Sequence, residues 1–92
     1  MAHRPEAEAD TEAIRARLIE GIARAVGVPP ERIDVDRPFM ELGVSSHDAT
    51  ALTGELGVWL GRAISPLVVW DFPTIDALAR HLGGELDSPL DA

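Results

Sequence analysis

Four consecutive side chains near the middle of the chain carry the groups best suited to chemistry: Ser45, Ser46, His47 and Asp48. A serine beside a histidine could act as a nucleophile with its base, as in hydrolases. Neighbouring residues on a helix, however, diverge by about 100° and do not face each other. No second plausible base lies near in the sequence. The spacing therefore argues against catalysis and leaves the two hydroxyls as helix caps or attachment points.

The same residues have the pattern of a helix start. Gly43 permits a turn, and Ser45 followed three residues later by Asp48 fits a capping box, with Asp where Glu is usual. If Ser45 caps, Ser46 becomes the first helical residue and its hydroxyl stays free. A phosphodiester on Ser46 would then lie beside unpaired N–H groups at the positive end of the helix. The alternative is that both serines are only caps, which are common at this position.

The elements that must position these residues are predicted to be helices, because apolar residues recur every three or four positions without strand alternation. Asp10 or Thr11 can cap the first helix and Gly27 can end it, while Ser65 followed by Pro66 opens the third. The expected helices cover about 11–26, 45–61, 66–71 and 75–82. The predicted fold class is all-α: a small four-helix bundle with a long first loop and a short third helix.

The long first loop, from Gly27 to Ser45, is rich in apolar residues, which indicates that it packs across the helices. These residues are Val28, Ile33, Val35, Phe39, Met40 and Leu42. The folded domain is expected to span 11–83, and Thr74 is expected to cap its last helix. Residues 1–10 are expected to form a disordered lead-in or linker, and 84–92 a polar tail or linker.

The composition argues against several classes of partner and site. The 92 residues include 16 acids against 8 bases, and the net charge of −8 makes nucleic acid and membrane poor partners. The acid excess either attracts a basic protein surface or only maintains solubility. No cysteine is present, and His3, His47 and His81 lack the spacing of zinc ligands, so no metal site is expected. Without a membrane-length apolar run or leader-like start, the expected location is cytoplasmic.

A set of short motifs follows in a recognisable order. They are FMELGVSS at 39–46, Leu56, GRAIS at 61–65, FPTI at 72–75 and Leu78-Ala79. Over residues 11–83 this order resembles the acyl carrier domains of polyketide synthases. The resemblance implies a 4'-phosphopantetheine arm on the serine that begins the second helix, here Ser46. The arm would carry acyl or polyketide intermediates as thioesters between partner enzymes, and the carrier itself would catalyse nothing.

The resemblance also implies partners: a phosphopantetheinyl transferase using coenzyme A and magnesium, an acyl-loading enzyme or acyltransferase, and a ketosynthase. The family's serine is usually preceded by Asp and followed by Leu, whereas Ser45 and His47 stand there in this chain. Ser45 is thus a rival attachment site. A peptidyl carrier of a non-ribosomal peptide synthetase is an alternative, although Val44 and Ser45 do not resemble its glycine-rich approach. A further alternative is an unmodified helical docking module, and as an isolated domain the chain is expected to be monomeric.

Partner contacts are expected along the second helix and on the third. The candidates are Val44, Ser45, His47, Asp48, Thr50, Gly54, Glu55, Val69 and Trp70. Gly54, Gly57 and Val58 project onto the side turned away from the core, which favours partners that read shape and apolar contact. The alternative is that the glycines relieve crowding between helices. Trp59 and Trp70 either pack in the core or a groove, or line a cavity for an acyl chain.

Overall fold

The computed structural model describes residues 10–84; the lead-in predicted at 1–9 and the tail predicted at 85–92 lie outside them. Four α-helices and two 3₁₀ turns follow one another. They are α1 (Thr11–Val26), a first 3₁₀ turn (Pro30–Arg32), a second (Phe39–Leu42), α2 (Ser46–Leu60), α3 (Val68–Asp71) and α4 (Ile75–Leu82). Within residues 10–84 the only β-type pairing is the bridge between Pro38 and Thr74. The predicted all-α four-helix fold is confirmed.

Helix α1 begins after the capping residue Asp10 and ends before Gly27, as predicted. The Asp10 carboxylate accepts the N–H of Ala13 at 2.9 Å and so satisfies one of the free donors of the first turn. Gly27 ends the helix with φ of 77°, a conformation that costs glycine nothing. A stripe of Ile14, Leu18 and Ile22 is buried, and through it α1 packs against α4 and α2.

Helix α2 buries most, but not all, of the face that its periodicity predicts. Apolar residues at about 100° per residue predict a single face of Ala49, Leu52, Leu56, Trp59 and Leu60. The first three are buried, whereas Trp59 and Leu60 are only partly buried. Thr53, which the apolar pattern omits, is buried at 1% exposure, because its hydroxyl donates to the Ala49 carbonyl at 2.9 Å within the helix. A polar side chain can thus join the core without an unsatisfied group.

The long connection between α1 and α2 packs across the helices, as its composition predicts. Ile33 and Phe39 are buried in the core, although Met40 is 69% exposed and so departs from that prediction. Two backbone hydrogen bonds tie the connection to the start of α4: the Phe39 N–H donates to the Pro73 carbonyl at 2.8 Å, and the Asp76 N–H donates to the Val35 carbonyl at 3.1 Å. The segment leading to α2 is therefore anchored to the last helix.

Helix α3 begins two residues later than predicted. Pro66 and Leu67 form a turn instead of a first helical turn, because the Val68 and Val69 N–H groups donate to carbonyls three residues earlier and not four. The α-helix proper starts at Val68. In α4, by contrast, Thr74 caps as predicted, accepting the N–H of Ala77 at 3.1 Å.

The helices share one apolar core, supported at its edge by an ion pair. Its buried members are Ile14, Leu18, Ile22, Ala23, Ile33, Phe39, Ala49, Leu52, Leu56, Val69, Phe72, Ile75, Leu78, Ala79 and Leu82. Arg15 of α1 and Asp76 of α4 approach to 2.9 Å and are both partly shielded from solvent. Among residues 10–84, none of the helices is long and apolar enough to cross a membrane.

Candidate functional site

The first turn of α2 holds the residues that the sequence singles out. Ser45 is extended, with φ of −87° and ψ of 172°, and its Oγ accepts the Asp48 N–H at 3.1 Å. In return, Asp48 Oδ2 accepts the Ser45 N–H at 3.1 Å. The predicted capping box is confirmed, and it engages both the hydroxyl and the backbone N–H of Ser45.

The carboxyl group of Asp48 is held in its charged form by this geometry. Its pKa is lowered from the ordinary value, chiefly by the hydrogen bond from the Ser45 backbone and next by the Ser45 hydroxyl. A small contribution comes from the nearby His47, and slight desolvation opposes the shift. Asp48 therefore remains a carboxylate, able to accept the Ser45 N–H, through the neutral range.

This shift predicts how the cap responds to acid. Because the pKa of Asp48 is lower in the folded than in the unfolded chain, its stabilising contribution is present above the unfolded value, about 3.9, and is lost as pH falls through the folded value. The difference in unfolding free energy between wild type and Asp48→Asn should therefore shrink on going from about pH 6 to about pH 3. Urea unfolding followed by circular dichroism measures this difference in unfolding free energy at each pH. A difference that does not change with pH would contradict the lowered pKa of Asp48.

Ser46 differs from Ser45 in the hydrogen bonding of its side chain. It is exposed, it is the first residue of α2, and its Oγ has no hydrogen-bond partner among residues 10–84. The backbone N–H groups of Ser46 and His47 likewise find no acceptor within that range. The start of α2 thus presents a free hydroxyl next to two unpaired donors, a setting in which an anion attached to Ser46 is favoured.

The outer face of α2 is nearly uncharged and open. His47, Thr50 and Gly54 are exposed, and the Thr50 hydroxyl is turned back onto the Ser46 carbonyl at 3.0 Å. Val58 is 86% exposed and extends the apolar character of this face. A Cβ at Gly54 would meet nothing within 4 Å. Gly54 therefore relieves no crowding, and the space beside it is free surface.

Gly57 was expected on the same outer face, and this prediction is wrong. Gly57 is buried, and a Cβ there would lie 2.6 Å from the carbonyl oxygen of Arg62. The chain that leaves α2 turns back across this position, and the Arg62 guanidinium then donates to the Leu82 carbonyl at 2.8 Å. At Gly57 the glycine thus permits a close approach of backbone to helix.

The other candidate contacts divide by exposure. Ser45, Glu55 and Trp70 are exposed, while Val44 and Asp48 are partly buried. Val69 is only 3% exposed and packs in the core, so its side chain is not available to a partner. The spacing could not distinguish Val69 from Trp70, because in a four-residue helix successive side chains turn from core to solvent within one step.

The structure has a cleft between α1 and α2 that was not predicted from the sequence. Its volume is about 200 Å³, and Val44 and Asp48 lie in its wall close to Ser46. Small residues on the facing helices, Gly21 and Ala51, help to form it. Small residues at these positions were a signal that could have been used.

Trp59, considered as a cavity residue, instead lies partly buried beneath the Arg17 guanidinium, which is 4.2 Å from its ring centroid. This position matches the packing alternative. His81, near the end of α4, stacks on Phe72 with ring centroids 4.0 Å apart. Among residues 10–84 no three His, Cys, Asp or Glu side chains are grouped so that they could hold a metal ion.

Comparison with known families decides what kind of site this is. The family model described as "Phosphopantetheine attachment site" matches residues 16–82, which is most of the chain. The chain belongs to this family. It is a phosphopantetheine carrier domain, and such domains bind 4'-phosphopantetheine covalently and have no catalytic activity of their own.

Relatives of the carrier domain occur in polyketide synthases. It is 44% identical over 76 residues to one subunit of the phenolphthiocerol/phthiocerol polyketide synthase of Mycobacterium tuberculosis, a match that covers 83% of the chain and 4% of that protein. It is 34% identical over 90 residues to "Mycoketide-CoA synthase" of the same species, covering 94% of the chain and 2% of that protein. The carrier domain thus spans a small fraction of the length of these relatives.

Solved structures similar to the carrier domain include both acyl and peptidyl carriers. A free-standing peptidyl carrier protein from Acinetobacter baumannii superimposes with a TM-score of 0.79 and 34% identity, covering 86% of this chain and 99% of that one. An acyl carrier protein from Anabaena with a variant phosphopantetheinylation-site sequence superimposes with a TM-score of 0.74 and 35% identity, covering 80% and 84%.

The residues of the carrier domain fit the group that its family holds. A covalent phosphopantetheine needs an accessible hydroxyl and room for a phosphodiester. Ser46 offers a hydroxyl without a partner in residues 10–84 at an exposed helix start. When bound, the group supplies a thiol that can carry an acyl chain as a thioester. In the first turn, the Thr50 hydroxyl donates to the Ser46 carbonyl, and the capping box of Ser45 and Asp48 lies on either side of Ser46 in the sequence.

Proposed function

We propose that this carrier domain bears 4'-phosphopantetheine on Ser46 and carries acyl or polyketide intermediates as thioesters between the enzymes of a polyketide synthase. The observation that carries the proposal is the contrast within one helical turn. Ser45 Oγ accepts a hydrogen bond in the capping box, while Ser46 Oγ is exposed and without a partner in residues 10–84. Both serines are exposed, so their hydrogen bonds, not their accessibility, separate them.

The attachment reaction needs a nucleophilic oxygen and a partner enzyme. A lone pair of Ser46 Oγ forms a bond to the phosphorus that carries the pantetheine group of coenzyme A. The P–O bond of the pyrophosphate breaks, and adenosine 3',5'-bisphosphate leaves with the electron pair. The hydroxyl proton would pass to a base of the phosphopantetheinyl transferase, an enzyme that would use coenzyme A and magnesium. The positive end of α2 favours the phosphodiester that remains on Ser46.

The unusual residue before the serine is compatible with attachment. Ser45 replaces the usual Asp but still supplies a capping oxygen, as its 3.1 Å bond from Asp48 N–H attests. A structurally similar acyl carrier protein also has a variant phosphopantetheinylation-site sequence. Departure from the common sequence at this position therefore does not argue against a carrier.

The polyketide assignment draws on the relatives, among which polyketide synthases dominate. A peptidyl carrier remains the second candidate because a peptidyl carrier protein superimposes with a TM-score of 0.79. Loading of the modified domain separates them. A polyketide carrier should accept an acyl group from an acyltransferase of a polyketide synthase and should not accept an aminoacyl group from an adenylation domain.

The proposed partners are a phosphopantetheinyl transferase, an acyl-loading enzyme or acyltransferase, and a ketosynthase. We further propose that the domain spans 11–83, acts in the cytoplasm and is monomeric when isolated. The uncharged outer face of α2 supports partners that read shape and apolar contact, with Asp48 and Glu55 at its edge. Salt titration of ketosynthase binding tests this: a shallow dependence is expected, whereas a steep loss of affinity would contradict it.

Coexpression with a promiscuous phosphopantetheinyl transferase tests the carrier function. Intact-mass spectrometry should show the addition of one phosphopantetheine group to nearly all of the protein. An unmodified mass, under conditions that modify a known carrier fully, would instead favour an unmodified docking module.

A further inference from the structure

Two serines of the same chemistry lie side by side at the start of α2, and both are exposed. They differ in that Ser45 shares two hydrogen bonds with Asp48, one from each backbone N–H, both at 3.1 Å. The pair closes a small ring around the first turn. Within that ring Ser45 is fixed as the cap, and Ser46 is fixed as the first helical residue.

We propose that Asp48 is a positioning residue for phosphopantetheine attachment: acting through Ser45, its carboxylate fixes the first turn of α2 and presents Ser46 to the transferase. This inference rests on the proposed function. Asp48 need not touch coenzyme A or the transferase, because its two bonds both go to Ser45.

The surroundings of Asp48 suit this role. Asp48 as a residue is of intermediate exposure, and it lies in the wall of the cleft between α1 and α2, together with Val44 and Leu52. It bends back towards Ser45 instead of extending towards solvent. An acidic residue that met basic partners directly would be expected to keep its carboxylate free. Glu55, the other acid of α2, is paired at 3.6 Å with Arg24 of α1 and holds nothing in the first turn.

The rate of attachment should depend on the fraction of molecules in which the first turn of α2 is capped. Without the Asp48 carboxylate the first turn frays more often, and only the capped fraction presents Ser46 productively. The apparent affinity of the transferase falls by that fraction. Asp48→Ala should therefore lower kcat/KM by up to about fivefold, the ratio that corresponds to a cap of about 1 kcal/mol, mainly through a higher KM at nearly constant kcat. Asp48→Glu, which supplies the more usual capping-box residue, should restore most of the loss.

Asp10→Ala is the matched control. Asp10 is also a carboxylate that stabilises the first turn of a helix, as the N-cap of α1, where it accepts the Ala13 N–H at 2.9 Å, but it belongs to a different helix. Asp10→Ala should destabilise the domain by about as much as Asp48→Ala does, while leaving the kinetics of attachment unchanged. An equal fall in kcat/KM for Asp10→Ala and Asp48→Ala would reduce the effect to general stability and overturn the inference.

A double-mutant cycle distinguishes positioning from direct contact. Ser45→Ala removes the hydroxyl acceptor of one bond and Asp48→Ala the carboxylate acceptor of the other, so either change opens the ring. If the ring acts as a unit, the double variant should be scarcely slower than the slower single variant. Multiplying effects would instead show that Asp48 does not act through this ring and overturn the inference. An Asp48→Ala variant with the kcat/KM of the wild type would also overturn the inference. If wild type itself gains no mass, the proposed function fails, which is a separate result.

Discussion

Replacing Ser46 with Ala should abolish the gain of mass when the chain is coexpressed with a promiscuous phosphopantetheinyl transferase. The change removes one hydroxyl, and that hydroxyl makes no hydrogen bond within residues 10–84. The helix should therefore keep its fold, since alanine is the best helix former and the cap at Ser45 is untouched. Intact mass reports the loss of modification, and circular dichroism reports the retained fold.

The neighbouring serine supplies the control for this experiment. Ser45→Ala removes the capping oxygen that accepts the Asp48 N–H, at a cost of about 1 kcal/mol in stability. It should still gain the full mass at the end of coexpression, because Ser46 remains. Loss of the added mass in Ser45→Ala with its retention in Ser46→Ala would move the attachment site to Ser45. Retention in both single variants would mean that either serine, or neither, is used.

Two glycines of α2 should respond in opposite directions to the same substitution. Gly57→Ala places a methyl group 2.6 Å from the Arg62 carbonyl oxygen, a backbone atom that cannot rotate away. We expect it to destabilise the domain by about 1–3 kcal/mol. Gly54→Ala meets nothing within 4 Å and should stabilise by about 0.5–1 kcal/mol, since alanine restricts the unfolded chain and favours a helix.

Urea unfolding followed by tryptophan fluorescence measures both changes. The pair is internally controlled, because the two positions lie three residues apart in one helix and receive the same side chain. Two stabilising results would show that the chain after α2 can move away from Gly57. If both substitutions destabilise the domain, the position of Gly54 is not as open as the structure shows.

Local signals carried most of what the sequence could predict. The caps at Asp10, Ser45 and Thr74 each depend on a bond to a backbone N–H three residues later, and such bonds are visible in the spacing alone. The proposal of Ser46 as the attachment site rests on the same reasoning, supported by the order of motifs along the chain, and it stays a prediction. These features required no knowledge of how the helices pack.

The features that were missed or wrong depend on tertiary contact. Gly57 and Gly54 look alike in the sequence, and only the returning backbone at Arg62 makes one of them buried. Val69 and Trp70 are adjacent apolar residues, and only the packing of α3 decides which faces the core. Thr53 is polar, and its burial depends on a hydroxyl that bonds within its own helix. Hydrophobic periodicity contains none of this information.

The anchoring of the first loop has a consequence for the order of events during protein synthesis. The segment that leads to Ser46 is held by hydrogen bonds to Pro73 and Asp76, residues that leave the ribosome well after the serine does. A nascent chain that ends before α4 lacks those anchors and the helix against which α1 chiefly packs. Attachment should therefore wait until the last helix has been made, so that a modified serine marks a domain whose translation and folding are complete.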